Sequence, residues 1–192
     1  MRSQSFENFS LDYYKQNPKD FEIMSRNYQN LVGYAKGFSM EKDRPMPSSL
    51  LLLGGTGLGK THLSTSIARV VIERGYDVYY NSAVGMLSDF EHRRFGNGLV
   101  SGEADDTARY TECDLLIIDD LGTETVNQFT LSCIYHVLNT RLNLGKPTIV
   151  NTNLKTDEFC KFYGDRIASR LTGEFLLVPF FGADIRKQRI QQ

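Results

Sequence analysis

Short continuous apolar runs alternate along this chain with longer stretches in which apolar residues recur every three or four positions. Leu50 to Leu53, "DLLIIDD" (114–120), "PTIVNTN" (147–153) and "FLLVPFF" (175–181) are runs of strand length, and "DVYYNS" (77–82), after Gly75, is a fifth. Such runs read as buried strands. Between them Leu63, Ile67, Val70 and Val71 fall at i, i+4, i+7 and i+8, one face of a helix. A second helical pattern spans about Val84 to Phe95. A third runs from about Phe129 to Leu144, with Leu131, Ile134, Tyr135, Leu138 and Leu142 on one face. A fourth ends near Leu171. Five strands separated by helices predict an α/β domain, a parallel sheet with helices on both faces. Ligands on such sheets bind at the carboxyl ends of the strands.

Punctuation and bulk composition refine this picture only slightly. Residues 1–45 are polar with interleaved aromatics (Phe6, Phe9, Tyr13, Tyr14, Phe21, Tyr28) and read as a segment leading into a helix. Pro45 and Pro47 mark a turn before the first strand, and "GNGLVSGEADD" (96–106) reads as a loop. The expected division is therefore 1–45 as a leading segment and 46–192 as one domain with a sizeable core. Net charge is −1, so contact with nucleic acid requires a local basic patch. No apolar run approaches the ~18 residues of a membrane span, and "MRSQSFENFS" lacks the apolar core of a signal peptide. Cys113, Cys133 and Cys160 are widely spaced and form no C-x-x-C, which predicts reduced core thiols in a cytoplasmic protein.

The chemistry sits at strand ends. After Leu53 comes "GGTGLGKT", in which Gly54, Gly59, Lys60 and Thr61 fit G-x-x-x-x-G-K-[ST], the P-loop pattern. Small residues let backbone N–H groups turn inward to form an anion nest, and the following helix adds the positive end of its dipole. Gly54, Gly55, Thr56, Gly57, Leu58, Gly59, Lys60, Thr61 and His62 form the expected cradle for the phosphates of ATP or ADP. Lys60, expected to stand exposed in the loop, would reach the β- and γ-phosphates, and the Thr61 hydroxyl would ligate Mg²⁺.

"LLIIDD" buries a strand and releases Asp119 at its end, where a carboxylate can hold Mg²⁺ directly or through water. Asp120 beside it could orient or deprotonate an attacking water, with Glu124 as a weaker candidate. "IVNTN" ends another strand in amides. Asn153, with Asn151 as the lesser alternative, could bond the γ-phosphate or the lytic water. "GDRIASRL" sets Arg166 and Arg170 at i, i+4, either a solvated basic face or an arginine finger for a neighbouring subunit. "FEHRRFG" (90–96) places Arg93 and Arg94 between phenylalanines, the mixture of cations and rings that single-stranded nucleic-acid sites use. His62 and His136 lie on helices without a carboxylate or cysteine at ligand spacing, which predicts packing or surface positions rather than catalysis; Tyr79 and Tyr80 read as core.

Taken together, "GGTGLGKT", "LLIIDDLGTE", "PTIVNTNL", "GDRIASRL" and "FFGADIR" resemble the AAA+ ATPase domain of bacterial replicative helicase loaders, the DnaC/DnaI-like family, with IstB-type transposition helper ATPases close behind. The resemblance runs from about Phe6 to Arg186. It implies the sheet order 5-1-4-3-2; because the sequence stops just after Arg186, little or no helical lid is expected. It implies that Lys60 and Thr61 belong to Walker A, Asp119 and Asp120 to Walker B, Asn153 to sensor 1, Arg170 to the arginine finger and Arg186 to sensor 2. A Mg²⁺-dependent ATPase follows, self-assembling through its nucleotide site and helping to load a replicative helicase onto single-stranded DNA. A transposition helper and a nucleotide-gated adaptor with little turnover are the alternatives. Asp120 stands where many AAA+ proteins carry Glu, and about 45 residues before the first strand are too few for a separate helicase-binding domain.

Overall fold

The computed structural model describes residues 4–41, 48–95 and 107–190. The expected turn at Pro45 and Pro47 and the loop 96–106 lie outside the described residues. The five strands are β1 (Ser49–Leu53), β2 (Val78–Ser82), β3 (Leu115–Leu121), β4 (Thr148–Thr152) and β5 (Phe175–Pro179). All pair in parallel, in the order β2-β3-β4-β1-β5. This is the expected order read from the other edge. The last strand stops at Pro179, short of the expected 181, because its ladder against the five residues of β1 ends at Leu53.

The helices are α1 (Pro18–Gly37), α2 (Lys60–Glu73), α3 (Ala83–Phe95), α4 (Arg109–Glu112), α5 (Gln128–Asn143), α6 (Phe159–Gly173) and α7 (Ile185–Ile190). Asn17 and Asn127 cap α1 and α5 by accepting backbone N–H bonds, which fixes where those helices begin. Pro18 stands at the first turn of α1, where its missing N–H costs nothing. Gly164 interrupts α6 with φ 72°, a left-handed kink between two helical pieces.

Side chains along a strand alternate between faces, and this divides the core in two. Leu50, Leu52, Leu115, Ile117 and Ile149 meet Met24 and Leu31 of α1 and Leu63, Ile67 and Val71 of α2. Leu51, Leu116, Ile118, Val150 and Phe175 meet Met86 of α3, Ile134 and Leu138 of α5, and Ile167 and Leu171 of α6. Burying each such side chain contributes roughly 1.5–3 kcal/mol, before the entropy of ordering the chain is set against it. The predicted apolar faces of α2 and α5 are the ones that pack. Cys113 and Cys133 are buried free thiols as expected, whereas Cys160 is exposed, since it falls on the outward side of the first turn of α6. Below the sheet the fully buried Arg141 donates to the carbonyls of Cys113, Asp114 and Pro147, tying the starts of β3 and β4 together. No helix among the described residues is long and apolar enough to cross a membrane.

Candidate functional site

Alternation also decides which polar groups meet. Ile117 and Ile149 face α2, so residues two and four further along their strands face it as well: Asp119 on β3, then Asn151 and Asn153 on and beyond β4. Val78 and Tyr80 of β2 pack on that same side. All four polar side chains therefore point toward the N-terminus of α2, where the P-loop ends.

The loop reaches α2 through backbone conformations that L side chains rarely adopt. Gly57 has φ 74° and Gly59 has φ 83°. A Cβ on Gly57 would stand 1.9 Å from Asp184 Oδ1, and one on Gly59 would stand 2.6 Å from Phe9. The loop is thus sandwiched between the start of the chain and the segment before α7. Tyr14 OH donates to Leu58 O at 2.8 Å, and Ile185 N donates to Gly57 O at 3.0 Å. His62 Nε2 lies 2.9 Å from Ser5 O, and its ring meets the edge of Phe9. That is the packing role expected of it; His136 is exposed beside Phe90.

Lys60 is not exposed as expected. Only 5% of it is accessible, and its Nζ donates to Gly54 O (2.6 Å), Gly55 O (2.8 Å) and Asn153 Oδ1 (2.7 Å). The loop folds back over its own lysine, and three acceptors match its three protons. Burial pushes the ammonium down to about 8, against the opposing pull of Asp120 and Asp119, while Arg186 pushes it further down.

Asp119 is also buried, 5% accessible. Its Oδ1 accepts from Thr61 Oγ1 (3.1 Å), Asn151 Nδ2 (2.8 Å) and the Asp120 N–H (3.1 Å), and its Oδ2 accepts from Tyr80 OH. Asp120 would point to the opposite face in a regular strand. Here the β3–β4 register shifts between Ile118 and Leu121, and Asp120 takes φ 54°. That irregularity brings it into the cleft, together with Lys60, Asn153 and Arg186. Burial and the adjacent Asp119 raise its pKa, opposed by Lys60 and Arg186.

The cleft is lined by Thr56, Gly57, Leu58, Gly59, Lys60, Thr61, His62, Asp120, Asn153, Ile185 and Arg186, and by Asn8, Phe9 and Tyr13 from the start of the chain. Sequence reasoning missed the contribution of that start. Its interleaved aromatics were the available signal, but nothing local says that they fold back on the loop. It also missed Tyr80, a strand tyrosine with no motif around it, and the bond that Asn151 makes to Asp119.

Other expected residues lie elsewhere. Glu124 accepts from Gly122 N and Tyr163 OH, so both its oxygens are used in holding the turn after β3. Arg170 donates to Asn139 Oδ1 and Tyr135 OH, and its guanidinium lies 4.4 Å from the Tyr135 ring centroid. It is held on α5, away from the cleft; Arg166 is exposed and accepts an Arg170 bond through its carbonyl. Arg93 donates to Thr107 Oγ1, and Arg94 lies 5.2 Å from the Phe129 ring centroid.

The donor set fits a magnesium nucleotide. A cation, a hydroxyl and a buried carboxylate converge at the start of α2. Its N-cap Gly59 offers no side-chain cap, so its first N–H groups face the cleft without a local acceptor side chain. Hard oxygen donors in small number suit Mg²⁺, which completes its shell with phosphate and water. Among the described residues there is no group of three or more His, Cys, Asp or Glu that could cage a metal by itself.

The family profile described as "IstB-like ATP binding protein" matches residues 20–188. The chain belongs to that family. The chain is also 23% identical over 172 residues to the replicative helicase loader DnaC of Escherichia coli, covering 90% of this chain and 69% of DnaC. It is 31% identical over 110 residues to a protein of a Mycobacterium tuberculosis insertion sequence described as ATP-binding, covering 55% of this chain and 40% of that protein. A crystal structure of the DnaC helicase loader superposes with a TM-score of 0.73 at 20% identity, covering 92% of this chain and 98% of that one. This IstB-like chain thus has the fold of AAA+ P-loop ATPases.

Proposed function

We propose that the chain binds and hydrolyses ATP and uses that cycle to assist loading of the replicative DNA helicase onto single-stranded DNA. The observation that carries the ATPase part is the convergence of Lys60, Thr61, Asp119, Asp120 and Asn153 on one end of the sheet. The P-loop N–H groups and Lys60 bind the phosphates, with Lys60 exchanging its carbonyl partners for phosphate oxygens. Mg²⁺, which Thr61 and Asp119 would hold, neutralises phosphate charge when bound. Asp120, whose pKa is raised by burial and by Asp119, takes a proton from the attacking water while Asn153 orients it. The new P–O bond forms at the γ-phosphorus, and the electron pair of the broken bond leaves on ADP. Arg186 contacts the nucleotide from its own chain, and Arg170 serves the site of a neighbouring copy in an assembly built through the ATP site. The ATPase domain is assigned to residues 46–192, with 1–45 as its leading segment.

The likeness to DnaC along most of the chain supports the loader assignment. Phosphate release from ATP tests the chemistry, with Asp120→Asn expected to cut it about 10²–10⁴-fold. Co-purification with the host replicative helicase tests the partner. A second reading, a transposition helper acting with a transposase, is favoured by the family's description and by the insertion-sequence relative. Capture of a transposase but no helicase by the same bait would select it.

A further inference from the structure

Tyr80 stands on β2, beside β3 and three strands from β1 with its P-loop, and its hydroxyl meets the site at Asp119. It is not among the residues that line the cleft. Its strand lies beside β3, with Tyr80 opposite Ile117, so a phenol leaning along the strand reaches the carboxylate two residues on. Phenylalanine would fill the same space without supplying a donor. Tyr79, on the other face, packs edge-on to Tyr110 instead.

The bonds to Asp119 are unequal in what they can fix. Oδ1 holds donors from Thr61, Asn151 and the Asp120 N–H, whereas Tyr80 supplies the donor to Oδ2 among the described residues. Donors on both oxygens fix the plane of the carboxylate more firmly than donors on Oδ1 alone, and Tyr80 supplies the one on Oδ2.

We propose that Tyr80 is a positioning residue for the metal site: by bonding Asp119 Oδ2 it holds the buried carboxylate in the single orientation that receives Mg²⁺. This rests on the nucleotide-site reading above. Hydrogen-bond partners of metal-holding groups typically contribute 10–100-fold to metal affinity.

The test is a titration of a fluorescent ATP analogue against the full chain, first in EDTA and then with increasing Mg²⁺. Tyr80→Phe should leave the metal-free affinity unchanged and raise the Mg²⁺ midpoint about 10–100-fold. In an Asp119→Asn background the same change should move the midpoint no further, since Tyr80 acts through Asp119. That background lacks the buried charge the phenol serves, so it also supplies the comparison if Tyr80→Phe alone melts early. An unchanged midpoint in Tyr80→Phe overturns the inference, as does an equal loss of affinity with and without metal, which marks a purely structural role. If the unaltered chain binds no nucleotide, the nucleotide reading falls and this inference with it. If it binds and responds to Mg²⁺ while the variant matches it, only the role of Tyr80 falls.

Discussion

Lys60 Nζ lies 2.7 Å from Asn153 Oδ1, joining the first residue of α2 to the residue just past β4. Two further bonds, to the carbonyls of Gly54 and Gly55, close the loop over the ammonium. The lysine is therefore held as a buried cation among neutral acceptors, and a nucleotide must draw it out of them.

Lys60→Met should abolish tight ATP binding while changing stability by no more than about 1 kcal/mol. The cost of burying an ammonium offsets most of what its hydrogen bonds return, and methionine fills a similar volume. Calorimetric titration with ATP and urea unfolding measure the two effects. Equal ATP affinity in variant and parent would refute the P-loop assignment.

ATP affinity should fall as pH rises through about 8. The folded Lys60 loses its proton near that value rather than at the ordinary 10.5. Between these pH values the unfolded chain carries more protons, so this group's contribution to the stability of the nucleotide-free fold rises with pH. Phosphates favour the charged lysine, so binding above pH 8 takes up a proton, with a limiting slope of about tenfold in affinity per pH unit. Titrations at pH 7 and 9, in buffers of different ionisation enthalpy, should reveal that uptake. Flat affinity with no proton uptake would mean that Lys60 stays charged throughout.

Arg170→Ala should bind ATP nearly normally yet fail to hydrolyse it when assembled. An arginine supplied to a neighbour's γ-phosphate is worth about 10³–10⁵ in rate in other phosphoryl-transfer systems. Mixing Arg170→Ala with Lys60→Ala creates interfaces that pair an intact P-loop with an intact arginine, and some phosphate release should return. A mixture that assembles but stays inactive would leave Arg170 as the clamp between α6 and α5 that its bonds to Asn139 and Tyr135 describe.

Changing Arg93 and Arg94 together to Ala should weaken single-stranded DNA binding and flatten its salt dependence. Each lost phosphate contact lowers the slope of log K against log salt by about 0.7. Fluorescence anisotropy across a salt series reads the slope directly. An unchanged slope assigns the two cations to the packing seen here, on Thr107 and Phe129.

The alternation of apolar runs with 3.6-period stretches sufficed for the α/β class, and the spacing of Gly54, Gly59, Lys60 and Thr61 located the site. Both are properties of contiguous residues: a strand's alternation, a helix's face and a loop's need for glycine are settled by neighbours in the chain. What lay beyond reach depends on strand order, register and folding back. Lys60 is buried because its loop turns its carbonyls inward and Asn153 arrives from β4. Asp120, expected at the site from its place beside Asp119, reaches the cleft only through a register shift and a positive φ that the sequence does not announce. Tyr80 meets Asp119 because β2 pairs with β3 in one particular register. A shift by one residue would turn the tyrosine to the opposite face, and nothing in "DVYYNS" itself says which partner strand it will find.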